Sequence, residues 1–160
     1  HMAQHNLDGN DISWIKKFKN CILIRHPQYV IPSYNKKYPL SHKKLLGYSQ
    51  QLNIIKILED KEGITPPIFD ATDIQKNPRV ALKKMCISIG INFTKKMVKW
   101  PKGKRKSDCV WAKYCYVKVE NSSGFKPFHE KQITIEKGLV ALYKECLMEY
   151  NSMYEKRVVF

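Results

Sequence analysis

The chain has 160 residues, 43% of them hydrophobic. That suffices for one domain with a single core, is too short for two, and is too apolar for wholesale disorder. The formal net charge of +15 points to an anionic partner: nucleic acid, a membrane surface, a nucleotide, or a sulfated or phosphorylated small molecule.

In chain order, residues 19–24 read as a short buried strand ending in Cys-Ile-Leu-Ile. An apolar run without alternation suits a parallel strand covered on both faces. Residues 26–34 turn and enter a helix, with Pro27 near its first turn and Pro32 near a start or kink. Residues 41–60 carry Leu45, Tyr48, Leu52, Ile55 and Leu58 at spacings of three and four, which predicts a helix stopped by Gly63. Residues 66–71 (PPIFDA) predict a second strand. Asn77 and Pro78 predict a helix start, with Leu82, Met85, Cys86 and Ile89 on one face and Gly90 as the stop.

Residues 100–108 (WPKGKRKSD) predict a basic loop. Residues 109–119 fit strand or helix, and residues 121–127 predict a loop. Residues 133–156 predict a long amphipathic helix burying Leu139, Leu142, Tyr143, Cys146, Leu147, Tyr150 and Tyr154. This alternation is an α/β rhythm and implies a parallel sheet. In such sheets ligands bind beyond the carboxyl ends of the strands, where Arg25 and residues 71–73 fall.

Lysine supplies 25 of the 29 basic residues and arginine four. The lysines run along the whole chain, which fits the composition of an AT-rich genome better than a dedicated polyanion surface. The five cysteines are irregularly spaced without a CxxC, so reduced thiols are expected rather than a disulfide framework. Cys109, Cys115 and His129 match no familiar zinc spacing, and no metal is expected. No apolar run approaches the roughly 20 residues that span a bilayer and no secretory signal is visible, so a cytoplasmic location is expected. His1-Met2 reads as a cloning remnant, and the abrupt start as that of part of something longer.

Arg25, His26 and Ser33 form the first constellation. A strand-end arginine and a hydroxyl eight residues on can converge on one anion. The same residues also fit a chance strand-end arginine and a surface serine, and both readings stay open. Asp70 to Asp73 read as a strand end with helix caps. Lys102, Gly103, Lys104, Arg105 and Lys106, with Trp111 and Lys113 beyond, fit either a solvated loop or a mobile one closing over a phosphate. His5 is a lone histidine ahead of the first strand. No GxxxxGK[ST] exists, since Arg105 follows Gly103-Lys104.

At this point the pattern resembles the sulfotransferase family of P-loop-like α/β proteins, over about residues 3–155. The family carries a strand ending in Arg-x-Pro and a serine eight residues after that arginine. Here ILIRHP and PSY supply Arg25 and Ser33. Downstream, IFDATDIQKNP and SIGI resemble the family's acidic pair, proline and helix end. WPKGKRKSDCVWAK resembles its covering segment. VWAKYCY followed by SSGF is similar to a bacterial-type subgroup.

The resemblance implies a single domain over residues 1–160: a three-layer parallel sheet covered by helices, incomplete at its N-terminus. It implies 3′-phosphoadenosine 5′-phosphosulfate as donor, its 3′-phosphate held by Arg25 and Ser33. Lys102, Gly103, Lys104 and Lys113 would cover it. His5 would be the base, although the family's neighbouring lysine is absent from this chain. Ala71 stands where the family has an adenine-stacking tyrosine. The implied reaction is in-line sulfuryl transfer to a hydroxyl or amine of a small acceptor. This chain alone is expected to be inactive, for want of the 5′-phosphosulfate loop. A missing strand would leave an open sheet edge inviting a homodimer or strand exchange. The alternative is a non-catalytic basic module for a nucleotide anion or nucleic acid. Nucleic acid is disfavoured, because arginine is scarce and the aromatics sit at helical core spacing.

Overall fold

The computed structural model describes residues 13–63, 65–108, 110 and 112–160. At its centre, β1 (Ile22–Ile24) and β2 (Ile68–Asp70) pair in parallel, with Leu23 opposite Phe69 and Ile24 opposite Asp70. The parallel pairing follows from the helical crossover between them. The fold is α/β. Among the described residues the sheet has two strands, and the larger three-layer sheet expected from the sequence goes beyond them.

On one face, Ile22, Ile24 and Ile68 meet the helices α2 (Tyr48–Glu62) and α7 (Val140–Tyr154) through Tyr48, Ile55, Leu58, Cys146 and Met153. On the other, Phe69 packs with Ile74 of α3 (Ala71–Lys76) and Ala81 of α4 (Pro78–Ile89), joined by Val158 and Phe160. The second core covers only the β2 side of that face. Leu23 stays 54% exposed, so β1 is not covered on both faces as its unbroken apolar run suggests. The outer edge is partly closed, because the Gln51 side chain donates to the Leu23 carbonyl at 2.8 Å. At β2 the Val158 N–H donates to the Ile68 carbonyl at 2.8 Å, so the C-terminal residues lie along that strand.

The helix expected over residues 41–60 is broken. A 3-10 turn (Lys43–Leu46) ends at Gly47, whose φ of 80° is left-handed, and α2 begins after it. The stops at Gly63 and Gly90 fall where expected. Asn77 precedes α4 but makes no side-chain cap bond. The last helix starts at Val140, later than its apolar pattern suggests, after a 3-10 turn containing Gly138. The ambiguous stretch forms two short helices, α5 (Ala112–Cys115) and α6 (Val117–Glu120). Between β1 and α2 lies α1 (Pro27–Asn35), with Pro32 inside it.

Leu23 and Phe69 are neighbours on one face with opposite burial. Phe69→Ala should therefore cost about 3–5 kcal/mol and Leu23→Ala less than about 1 kcal/mol in urea denaturation. Similar costs would mean that Leu23 is covered in solution.

Candidate functional site

The two strands end side by side, and their carboxyl ends build the site. After Ile24 the Arg25 carbonyl accepts from the Tyr48 hydroxyl at 2.7 Å, which fixes where the strand stops. His26 is the N-cap of α1: its Nδ1 accepts from the Gln28 N–H at 3.3 Å. The ring proton therefore sits on Nε2. Pro27 at the first helical position gives up an N–H that needs no partner there.

Arg25 is exposed, with its guanidinium carbon 5.9 Å from the centroid of the Tyr29 ring. Ser33 is exposed too, four residues beyond Tyr29 on α1. Residues i and i+4 share a helix face, so Tyr29 and Ser33 fall on one side of α1, and Arg25, just ahead of the helix, reaches the Tyr29 ring. Among the described residues no hydrogen bond joins Arg25 to Ser33. Both retain donors for a ligand.

At the end of β2, the Asp70 carboxylate is 1% exposed. Its Oδ1 accepts from the N–H groups of Thr72 (2.8 Å) and Asp73 (3.1 Å), capping α3. Its Oδ2 accepts from the Tyr150 hydroxyl at 3.0 Å. The reading of this stretch as a strand end with a helix cap describes Asp70 correctly. Burial and the neighbouring Asp70 push the Tyr150 phenol far above its ordinary pKa. The His26 ring lies edge-on to Tyr150, with centroids 5.0 Å apart. Burial lowers the His26 pKa, with Asp70 pulling the other way, so the imidazole is neutral near pH 7.

Next to Asp70, the Arg157 Nε donates to Asp73 Oδ2 at 2.9 Å, and its guanidinium lies 3.5 Å from the Tyr154 ring centroid. Between these groups opens a cleft of about 320 Å³, walled by His26, Tyr29, Asp73, Phe128, Glu130 and Tyr150. Tyr29 is the shared wall. Arg25 lies over its ring, and Phe128 meets it edge-to-face at 6.4 Å. Among the described residues no three His, Cys, Asp or Glu side chains group as metal ligands.

Of the other expected site residues, Lys102, Gly103 and Lys104 are exposed in the loop after Trp100. The loop is tied down rather than free. The Gly103 N–H donates to the Glu120 carbonyl at 2.8 Å, the Trp100 N–H to Ser123, and the Trp100 indole to Ser122 at 3.1 Å. Lys113 lies on α5. Ala71 is the first residue of α3. His5 falls outside the described residues. The sequence reading missed Phe128, Tyr150 and Arg157 as site residues. They lie far along the chain, and only the fold brings them to the strand ends.

The chain matches the family described as "Sulfotransferase domain" over residues 1–156. It is 30% identical over 151 residues to "Branched-chain-amino-acid aminotransferase-like protein 2" of Arabidopsis thaliana, covering 94% of this chain and 27% of that one. To the like-named protein 1 of the same organism it is 33% identical over 125 residues, 78% of this chain and 22% of that one. It thus spans about a quarter of the length of these relatives. Among solved structures it is similar to "Sulfotransferase Domain from the Curacin Biosynthetic Pathway", with a TM-score of 0.48 and 19% identity, over 88% of this chain and 54% of that one.

The lowered His26 pKa has a definite sign. The folded imidazole resists a proton that the unfolded one accepts near pH 6.5. Its stabilising contribution is therefore present above that pH and is lost as pH falls through the folded value. His26→Asn keeps a side-chain acceptor for the Gln28 N–H. Between about pH 7 and pH 5 it should lose less stability to urea than the wild type, and equal losses would contradict the burial argument. Tyr150→Phe leaves Asp70 Oδ2 without its donor and should cost about 1–3 kcal/mol, read by the same denaturation.

Proposed function

Because the chain belongs to the sulfotransferase domain family, we propose that it binds 3′-phosphoadenosine 5′-phosphosulfate through Arg25 and Ser33 and serves sulfuryl transfer to a hydroxyl or amine. The observation that carries this reading is Arg25 at the carboxyl end of a parallel strand, over Tyr29, with Ser33 one turn along the same helix face. The residues fit a phosphate. A planar guanidinium with free donors and a nearby hydroxyl suit its oxygens, and neither is buried or consumed by another carboxylate.

The donor, when bound, supplies the sulfuryl group. Arg25 and Ser33 hold its 3′-phosphate and thereby fix the nucleotide's position. Lys102 and Lys104 of the basic loop and Lys113 of α5 would offer positive charge to its remaining phosphate oxygens, with Gly103 as the turn between the two loop lysines. His5 is the proposed base for the acceptor proton. The neutral His26 is not a competing base on its Nδ1, which already accepts from the Gln28 N–H. Its Nε2–H is left as a donor.

A second reading is a basic module that binds a nucleotide anion without catalysis. The +15 charge and the exposed lysines of the loop favour it. The two readings share the Arg25 site and differ in turnover.

The test is calorimetric titration with 3′-phosphoadenosine 5′-phosphate, using adenosine 5′-monophosphate as control. The 3′-phosphorylated nucleotide should bind more tightly. Arg25→Ala should weaken it by about 1.5–3 kcal/mol, the range for a hydrogen bond to a charged group, and Ser33→Ala by less. Equal affinity for the two nucleotides, or an unchanged Arg25→Ala, would defeat the proposal.

A further inference from the structure

We propose that the outer face of α4, with the basic segment just after it, docks on the anionic surface of a lipid bilayer. The chain would lie on the bilayer rather than span it, and no described helix is long and apolar enough to cross one. The docking face does not depend on the donor site and varies independently of the residues assigned to it.

The charge of this region comes from missing acids as much as from lysines. Lysine runs along the whole chain, but all 14 Asp and Glu lie outside residues 78–107. That stretch carries ten Lys and Arg, so ten of the fifteen net positive charges sit there. All ten side chains are exposed. Among the described residues none of the ten pairs with a carboxylate. Exposed cations of one sign, left unpaired, attract an anionic surface from a distance.

The same face is also apolar. Helix α4 buries Ala81 and Cys86 on its inner side and packs Met85 against the core. Its other side exposes Val80, Lys83, Lys84 and Ile87, at helical spacings of three and four. Ile87 is 79% exposed. Gly90 then turns in the left-handed region, and the Ile91 N–H bonds back to the Cys86 carbonyl at 2.9 Å. Ile91 stays 50% exposed. Three branched aliphatic side chains thus stand among lysines on the solvent side of α4 and its end. The chain beyond is held close. Lys83 Nζ lies 5.8 Å from the Phe93 ring centroid, and Cys86 Sγ lies 3.7 Å from Met97 Sδ. Lys95 and Lys96, in the 3-10 turn Lys95–Met97, are kept near α4 in this way. Lys84 Nζ donates to the Val159 carbonyl at 2.9 Å and keeps its charge.

A bilayer surface answers both features. Its anionic headgroups take the ammonium groups, and the layer beneath them takes the aliphatic side chains. Nucleic acid or an acidic peptide would meet the charge and leave Ile87 and Ile91 in water. Only two of the ten cations are arginine, the usual reader of base edges. A second copy of the chain would bring like charge to the face and be repelled.

Co-sedimentation of the full chain with phosphatidylcholine vesicles, with and without phosphatidylserine, tests this. The chain should pellet with the phosphatidylserine vesicles and stay in solution with the others. Salt near 1 M, where screening shortens to about 3 Å, should release it. The combined substitutions Lys95→Gln, Lys96→Gln and Lys99→Gln should weaken vesicle binding by about tenfold or more. Ile87→Ser leaves the charge unchanged and should weaken vesicle binding several-fold, with no effect on binding to a single-stranded oligonucleotide or to polyglutamate. All of these positions are exposed, so folding is preserved. Equal pelleting with both kinds of vesicle, pelleting with neither, or unchanged binding by the lysine variant or by Ile87→Ser would overturn the proposal. So would tighter binding to the oligonucleotide or polyglutamate than to vesicles of matched charge.

Discussion

The arrangement depends on one buried carboxylate. Asp70 ends β2 with 1% exposure, and charge taken that far from water is tolerated only when hydrogen-bonded. Two N–H groups of α3 and the phenol of Tyr150 supply the bonds. The first two fix where α3 starts. The third ties α7 to the carboxyl end of β2. His26, the N-cap of α1, rests edge-on against Tyr150, so the start of the helix that carries Tyr29 packs against the residue that bonds Asp70. Binding geometry at β1 is in this way held by a capping residue at β2.

Tyr29 joins the two parts of the site. Arg25 lies over its ring, with Ser33 a turn further along α1. Phe128 meets the same ring edge-on in the cleft that also holds Asp73 and Glu130. Tyr29 is held by α1, and α1 by the Pro27 and His26 cap.

Much of this was legible in the sequence. The apolar run before Arg25 and the PPIFDA stretch gave parallel neighbours, because a helical crossover leaves little else. Proline and glycine marked helix starts and stops at Pro27, Pro78, Gly63 and Gly90. Asp70 read correctly as a cap, since that signal is local. Its partner Tyr150 lies 80 residues away and reads in the sequence as a core-face residue, which is where it also sits. Nothing local distinguishes a core tyrosine from one whose hydroxyl finds a carboxylate. Phe128 was hidden for a similar reason, within a loop of no periodicity. Gly47 broke a helix that hydrophobic spacing alone would have continued. Leu23 belonged to a run that looked buried throughout, yet burial on that face depends on α3 and α4 reaching past β2, and they do not.

The central claim is that a nucleotide phosphate sits beyond β1 between Arg25 and Ser33. A crystal structure with 3′-phosphoadenosine 5′-phosphate bound tests it most directly. The account predicts the 3′-phosphate within hydrogen-bond distance of the Arg25 guanidinium and Ser33 Oγ, with Tyr29 beside it and the Asp73–Glu130 cleft free of phosphate. A 3′-phosphate seated in that cleft, or held by the basic loop with Arg25 turned away, would contradict it.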